Sequence, residues 1–358
     1  MRAKPAVNAF HGFVEEGTFV AFPLRFPSVS KGIPDDEARI QRLFRGGTNG
    51  RVVFGTTHGA RPHVFAAALG APYGYVLDLG TFSAERRPSS VALVPRPERY
   101  PVCLVGLCLD GGSELVADIA TLLSDGIQEW GFRKPSFKPV ASFEGEHVSD
   151  LLRVEEGLLC VTDRAVRLLD AESFATRART PVGTFCDRMG GRLVVAGARR
   201  VLFDEEGGVC EIRIVDGELI VEDLGMSLSG LDPSALVFGV CGESAVAVAD
   251  GQGAMAVIDL KERCFTECAP APVAPVHCVA GIADGRLYGF CGDGIGRLFR
   301  SSRHGGETAD LGAVAAVAGE RRYAYHLGSV VANANGHLLF GENDRGGHVW
   351  LYCPPSCA

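Results

Sequence analysis

The chain has 358 residues, 47% of them hydrophobic and 22% charged, with 46 Gly and 19 Pro, a profile of a packed chain with many tight turns and not of a disordered one. A formal charge of −8 and a pI near 5.6 give no general attraction to phosphate backbones or anionic lipid, so neither nucleic acid nor a membrane is expected as a partner. No apolar stretch reaches the ~18 to 20 residues needed to span a bilayer.

At the N-terminus, Arg2 and Lys4 are followed by no uninterrupted apolar run and no small-residue cleavage site before Glu15 and Glu16. No signal peptide is read, and a cytoplasmic location is expected. The segment Gly17 to Phe22 has strand composition but no nearby partner. Asp35 to Phe44 is ambiguous, because Ile40, Leu43 and Phe44 fit a helical face as well as an inner strand.

A phrase then begins that recurs to the end of the chain. Gly50-Arg51-Val52-Val53-Phe54-Gly55 is followed by a short polar loop, by His63-Val64-Phe65, and by Tyr75-Val76-Leu77-Asp78-Leu79-Gly80. Val105-Gly106 with Glu114-Leu115-Val116 repeats it, although Leu115, Ile119, Leu122 and Leu123 also carry helical spacing and leave a short helix open there. Gly157 to Val161, Gly191 to Val195 and Ser244 to Val248 supply three weaker copies, each read as the second strand of its unit. Gly285-Arg286-Leu287-Tyr288-Gly289 with Arg297-Leu298-Phe299, and Gly336 to Gly341 with His348 to Tyr352, complete seven. The copies recur about every 48 residues, within the range of propeller repeats.

Each copy supplies four short apolar runs, A to D, bounded by Gly, Asp and Asn turns. In one copy these are Val276 to Val279, Arg286 to Tyr288, Arg297 to Phe299 and Thr308 to Asp310. Such a sheet cannot bury both faces alone, whereas stacking sheets around an axis buries them against one another. The expected fold is therefore all-β: a single seven-bladed β-propeller spanning residues 1–358. Its last blade lacks a fourth run, which Gly17 to Phe22 is expected to supply by ring closure.

Twelve cysteines are spread without any C-x-x-C pair, several within apolar runs such as Val102-Cys103-Leu104. They read as reduced core thiols of a reducing compartment, with a small claim to a disulfide or metal kept for the spacings Cys264/Cys268 and Cys353/Cys357.

In a propeller the loops from B to C and those preceding A crowd one mouth of the channel, where ligands are sought. The B-to-C loops hold Thr56-Thr57-His58, Cys291-Gly292-Asp293 and Glu342-Asn343-Asp344-Arg345. Ring closure places His58 and His63 near His326, His337 and His348, with Tyr325, Arg42 and Arg345 at the same mouth. Such a cluster can hold a divalent metal, or neutralise a carboxylate and remove a proton beside it. No particular cofactor follows. The candidate catalytic residues are His58, Tyr325, His326 and Arg345; the candidate ligand-binding residues are Thr57, His63, Asp293, Glu342, Asp344 and His348. Against this, His63 and His348 share one repeat position, which points to a packing or capping role, and the loop at Glu342 also reads as a solvated turn. No G-x-S-x-G, H-E-x-x-H or P-loop occurs, and Gly292-x-Gly294-x-Gly296 lies between strands and not before a helix.

The phrase Gly-Arg-Leu-Tyr-Gly, Arg-Leu-Phe, Asp-Leu-Gly and the closing run Phe340 to His348 resemble repeats of bacterial seven-bladed propellers, distantly including polysaccharide lyases that act on uronate-containing chains. That resemblance implies His, Tyr and Arg around a channel mouth, sometimes with a metal. Two readings stand: a binding propeller for a glycan, small ligand or protein partner, and a lyase cleaving an acidic oligosaccharide by β-elimination. In the lyase, Arg345 would stabilise the enolate and His58, His326 or Tyr325 would act as base.

Overall fold

A computed structural model describes residues 10–355 except 13, 15, 25–32, 47–51, 71–72, 97–98, 120–135, 183–192, 204–206, 229, 233–234, 283, 319, 334 and 345–346. After β1 (Phe10–Gly12) and β2 (Thr18–Pro23), blade 1 comprises β3 (Ile40–Gly46), β4 (Val52–Thr57), β5 (His63–Gly70) and β6 (Tyr73–Thr81). Blade 2 comprises β7 (Arg87–Arg96), β8 (Arg99–Leu109), β9 (Gly112–Ile119) and β10 (Lys138–Glu144); blade 3, β11 (Val148–Val154), β12 (Gly157–Thr162), β13 (Ala165–Leu169) and β14 (Thr176–Pro181). Blade 4 comprises β15 (Val194–Ala196), β16 (Arg199–Phe203), β17 (Gly208–Val215) and β18 (Glu218–Ser227); blade 5, β19 (Val237–Val240), β20 (Ala245–Ala249), β21 (Met255–Asp259) and β22 (Cys264–Cys268). Blade 6 is β23 (Val276–Gly281), β24 (Arg286–Cys291), β25 (Arg297–Ser302) and β26 (Ala309–Ala313). A hairpin, β27 (Ala315–Ala318) and β28 (Glu320–Tyr323), precedes blade 7, formed by β29 (Leu327–Ala332), β30 (Leu338–Glu342) and β31 (His348–Cys353). The seven antiparallel blades form a ring, a seven-bladed β-propeller.

Closure is made by β2, which pairs with β31 from Thr18↔Cys353 to Pro23↔His348. The closing sheet is larger than the sequence suggests: β1 pairs with β2 on one side and β27 on the other, giving the order β28-β27-β1-β2-β31-β30-β29. The N-terminal hairpin is thus held along both edges.

The core lies between blades, and strand alternation puts it there. Along β31, Trp350 and Tyr352 point toward Tyr288 and Phe290 of blade 6, while Val349 and Leu351 point toward Leu43, Val53 and Phe65 of blade 1. Both faces of a blade are buried, so inner strands read as continuous apolar runs and not as alternating ones. The recurring Gly that ends the phrase has a steric cause. Gly55 faces Phe65 and Gly289 faces Phe299 across the B–C pairs, and an added Cβ would lie 2.1 and 2.3 Å from those rings.

Several expectations need correction. Leu115 and Ile119 belong to β9, and Ile40 to Phe44 to β3, so helix is excluded at those residues; Leu122 and Leu123 lie outside the described residues. The copy at Gly191 to Val195 leads into the first strand of blade 4, not the second, which is β16. Cys264 and Cys268 are free thiols at the two ends of β22, roughly 13 Å apart at ~3.3 Å per residue, too far for a disulfide. Cys357 lies outside the described residues. No described helix is long and apolar enough to cross a membrane.

Candidate functional site

The first strands of blades 1, 2, 3, 6 and 7 share a feature absent from the repeat phrase: their register slips near the start, between Ile40 and Arg42, Pro88 and Ser90, Val148 and Asp150, Val276 and Cys278, and Leu327 and Ser329. Such a bulge inserts one residue and re-aims the neighbouring side chains. In blade 6 the inserted residue is His277, whose Nε2 donates to the Gly292 carbonyl at 2.9 Å. Its ring lies 4.1 Å, centroid to centroid, from that of His326, which immediately precedes β29. In blades 1 and 3 the residues after the bulge meet across the ring: the Arg42 guanidinium binds the Asp150 carboxylate and donates to the Ser149 carbonyl at 3.0 Å. Asp150 Oδ2 also accepts the Leu193 amide at 3.4 Å, tying blades 1 and 3 to the segment leading into blade 4.

At the seam of blades 7 and 1, His58 Nε2 donates to Asn343 Oδ1, while the Asn343 amide donates to the His326 carbonyl at 2.8 Å. The loop at Thr56 to His58 and the loop at Glu342 to Asp344 therefore meet, as ring closure requires. Three imidazoles, His58, His277 and His326, converge on this seam with Asp293 and Asp344 beside them. Burial, then the neighbouring His277, hold His326 below its ordinary pKa, with a smaller push from His58, while Asp344 and Asp293 act in the opposite sense. The neutral form of the His326 ring is accordingly favoured near neutral pH.

The same mouth carries exposed apolar side chains. Among the described residues the exposed large hydrophobics are Val215, Ile220, Val273, Ile295 and Tyr325. Three of these, Val273, Ile295 and Tyr325, lie on the loops before β23, between β24 and β25, and before β29, all at the end of blades 6 and 7 where the imidazoles sit. These loops are pinned by backbone hydrogen bonds from Gly292 to Pro275 at 2.8 Å and from Gly296 to Ala324 at 3.3 Å.

Other candidates lie elsewhere. His63 is 3% exposed: Nε2 donates to Glu37 at 2.8 Å and Nδ1 to Asp78 at 3.1 Å, while its amide donates to the buried Thr57 hydroxyl at 2.9 Å. Burial works to lower its pKa, but Asp78 and Glu37 together outweigh it and the value is raised. His348 and Glu342 are each 1% exposed and joined at 2.6 Å inside blade 7. Thr57, His63, Glu342 and His348 are thus enclosed within blades, where they tie strands together and present no surface to a ligand. His337 sits at the opposite end of blade 7, its amide donating to Asn333 in the turn before β30. Tyr325 is exposed beside His326, Asp293 is exposed and Asp344 half-buried, and Arg345 lies outside the described residues.

His277, Val273 and Ile295 were not singled out by sequence. The signal for His277 is a polar residue interrupting an inner strand next to its start. Blade 3 repeats the logic of His63 with other residues: Glu146 accepts from Thr162 at 2.8 Å, from Arg167 at 2.7 Å and from Arg179 at 3.1 Å. Burial opposes the Glu146 charge, yet Arg167, Thr162 and Arg179 together keep its carboxyl below the usual range. Among the described residues no three His, Cys, Asp or Glu side chains are placed to hold a metal.

No protein-family model matches the chain, and no curated protein matches it in sequence. Solved structures share its fold. With a crystal structure of the WD40 beta propeller domain of Doa1 the TM-score is 0.55 at 10% identity, over 90% of this chain and 95% of that one. The structure of U3-55K gives 0.55 at 10% identity, over 93% of this chain and 98% of that one. At this identity the likeness extends to the ring alone, and any function must be argued from the site.

Proposed function

We propose that this propeller is a non-catalytic binding module whose mouth over blades 6, 7 and 1 engages a segment of a protein partner. One observation carries the reading: three of the five exposed large apolar side chains among the described residues gather around the imidazole array, on loops fixed by backbone hydrogen bonds. Exposed apolar groups beside ordered polar ones mark binding surfaces, and pinned loops lower the entropy lost on binding.

The lyase reading is less well supported. A uronate carboxylate brought to His326 meets Asp344 and Asp293, the two carboxylates acting on that ring, and β-elimination needs positive charge at that point. The arginine assigned to this role, Arg345, lies outside the described residues.

The test is to pan displayed peptide libraries on the full chain, then re-measure the selected peptides against Tyr325→Ala, Ile295→Asp and Val215→Asp variants. The reading expects losses of about tenfold or more from the first two and none from the third, which lies on the C–D hairpin of blade 4. Selected peptides insensitive to Tyr325 and Ile295 would place binding elsewhere. Release of unsaturated product from a uronate polymer would favour the lyase.

A further inference from the structure

We infer that the C–D hairpin of blade 4, at the end of the ring away from the mouth, is a surface on which a second copy of this chain docks about a twofold axis. Nothing in this pairing depends on what the mouth binds.

The two exposed large apolar side chains that do not belong to the mouth, Val215 and Ile220, sit together on this hairpin of β17 and β18 and are 45% and 37% exposed. Asp216 and Gly217, with φ angles of +52° and +82°, form its two-residue turn and fix the register, so that Val215 pairs with Glu218 and Arg213 with Ile220. Residues paired in this way share a face of the sheet, so these four form a square on one face. One diagonal of the square is apolar, Val215 to Ile220, and the other is charged, Arg213 to Glu218. The opposite face is already used, since Ile212 and Leu219 pack with Leu159, Val161 and Leu168 of blade 3. Leu219 is further held there, its carbonyl accepting from the Thr180 hydroxyl at 2.7 Å.

Charge complementarity names the occupant. Arg213 binds the Glu222 carboxylate, which also binds Arg263 from the C–D turn of blade 5 at 3.4 Å, so two guanidinium groups share one carboxylate and leave a surplus positive charge beside the square. Both arginine side chains are half-exposed. Glu218 is exposed and makes no ion pair among the described residues. A twofold axis along the Val215–Ile220 diagonal sets each apolar residue against its own copy and carries each Glu218 to Arg213 of the other copy. Every attraction then occurs twice, as an isologous interface requires, and no like charges oppose within the square. A uniformly acidic or basic partner would meet a like charge at one end of the charged diagonal.

Sedimentation equilibrium of the full chain from about 1 to about 300 µM tests the pairing, since so few contacts place the dissociation constant on the order of tens of micromolar. The native chain should pass from monomer to dimer over that range, and Ile220→Asp should raise the dissociation constant by about tenfold or more. Glu218→Arg and Arg213→Glu should each weaken self-association as strongly, because each sets like charges against one another across the axis. An equimolar mixture of those two variants should form a heterodimer about as readily as the native chain pairs, which also reports that both are folded. A native chain that stays monomeric at about 300 µM, a dimer indifferent to Ile220→Asp, or a mixture that associates no better than either variant alone would overturn the inference.

Discussion

Replacing Phe19 by Ala tests how the ring is closed. Phe19 is fully buried in the strand that completes blade 7, its ring 5.8, 5.4 and 5.3 Å from those of Phe340, Trp350 and Tyr352. Removing a buried Phe side chain costs about 3 to 5 kcal/mol, and aromatic pairs of this geometry place the value in the upper half, at about 4 kcal/mol. An unfolding entropy of about 2.1 cal/mol/K per residue over the 358-residue chain amounts to about 0.75 kcal/mol per degree, so the midpoint should fall by about 5 °C. Differential scanning calorimetry measures it, with the exposed Tyr325→Ala variant as control at under about 1 °C. A fall of under about 1 °C for Phe19→Ala would mean that this strand does not close the ring.

Three further outcomes are expected. Protonated His63, held by Asp78 and Glu37, has a folded pKa above the unfolded value of about 6.5; its contribution is full below that pH and fades as the pH rises through the folded value. Urea midpoints across that range should show the decline, and His63→Gln should flatten it. Arg42→Met should destabilise by about 2 to 3 kcal/mol by stranding a largely buried carboxylate, with a coupling to Asp150→Asn above about 1 kcal/mol in a double-mutant cycle; coupling near zero would place the two groups apart. Brief maleimide labelling read by mass spectrometry should modify exposed Cys264 first and spare Cys103, Cys160, Cys241, Cys278 and Cys291, because burial raises those thiols, Cys241 and Cys291 to about 11. Rapid modification of those five would contradict their burial.

The ring was legible because its repeat has a steric origin. Gly55 and Gly289 must be glycine beneath Phe65 and Phe299, so a Gly and a Phe ten residues apart mark the B–C pairs of blades 1 and 6 in the sequence. The copy at Gly191 misled because first and second strands of a blade are both buried on two faces and look alike; β15, at three residues, is too short to betray its order. The extra strands of the closing sheet were hidden for another reason. They are three or four residues long, and the pairing that joins them into the closing sheet, His11↔Val317, spans the chain, so no local pattern encodes it. At the mouth, loop lengths and turn residues located the B-to-C segments, and closure implied that the loop at Thr56 to His58 would lie near the loop at Glu342 to Arg345; the His58–Asn343 contact itself was not legible. The burial of His63 depends on Glu37, a residue outside the repeat phrase. His277 escaped notice because a bulge breaks the two-residue period on which strand faces are assigned.

The proposal that this mouth is the binding surface is tested most directly by a hydrogen-exchange footprint of a selected peptide on the full chain. Protection should concentrate on residues 292–296, 324–327 and 343–344, and be absent from the C–D hairpin of blade 4 around Val215. Protection centred on that hairpin, or on the opposite end of the ring around His337, would contradict it.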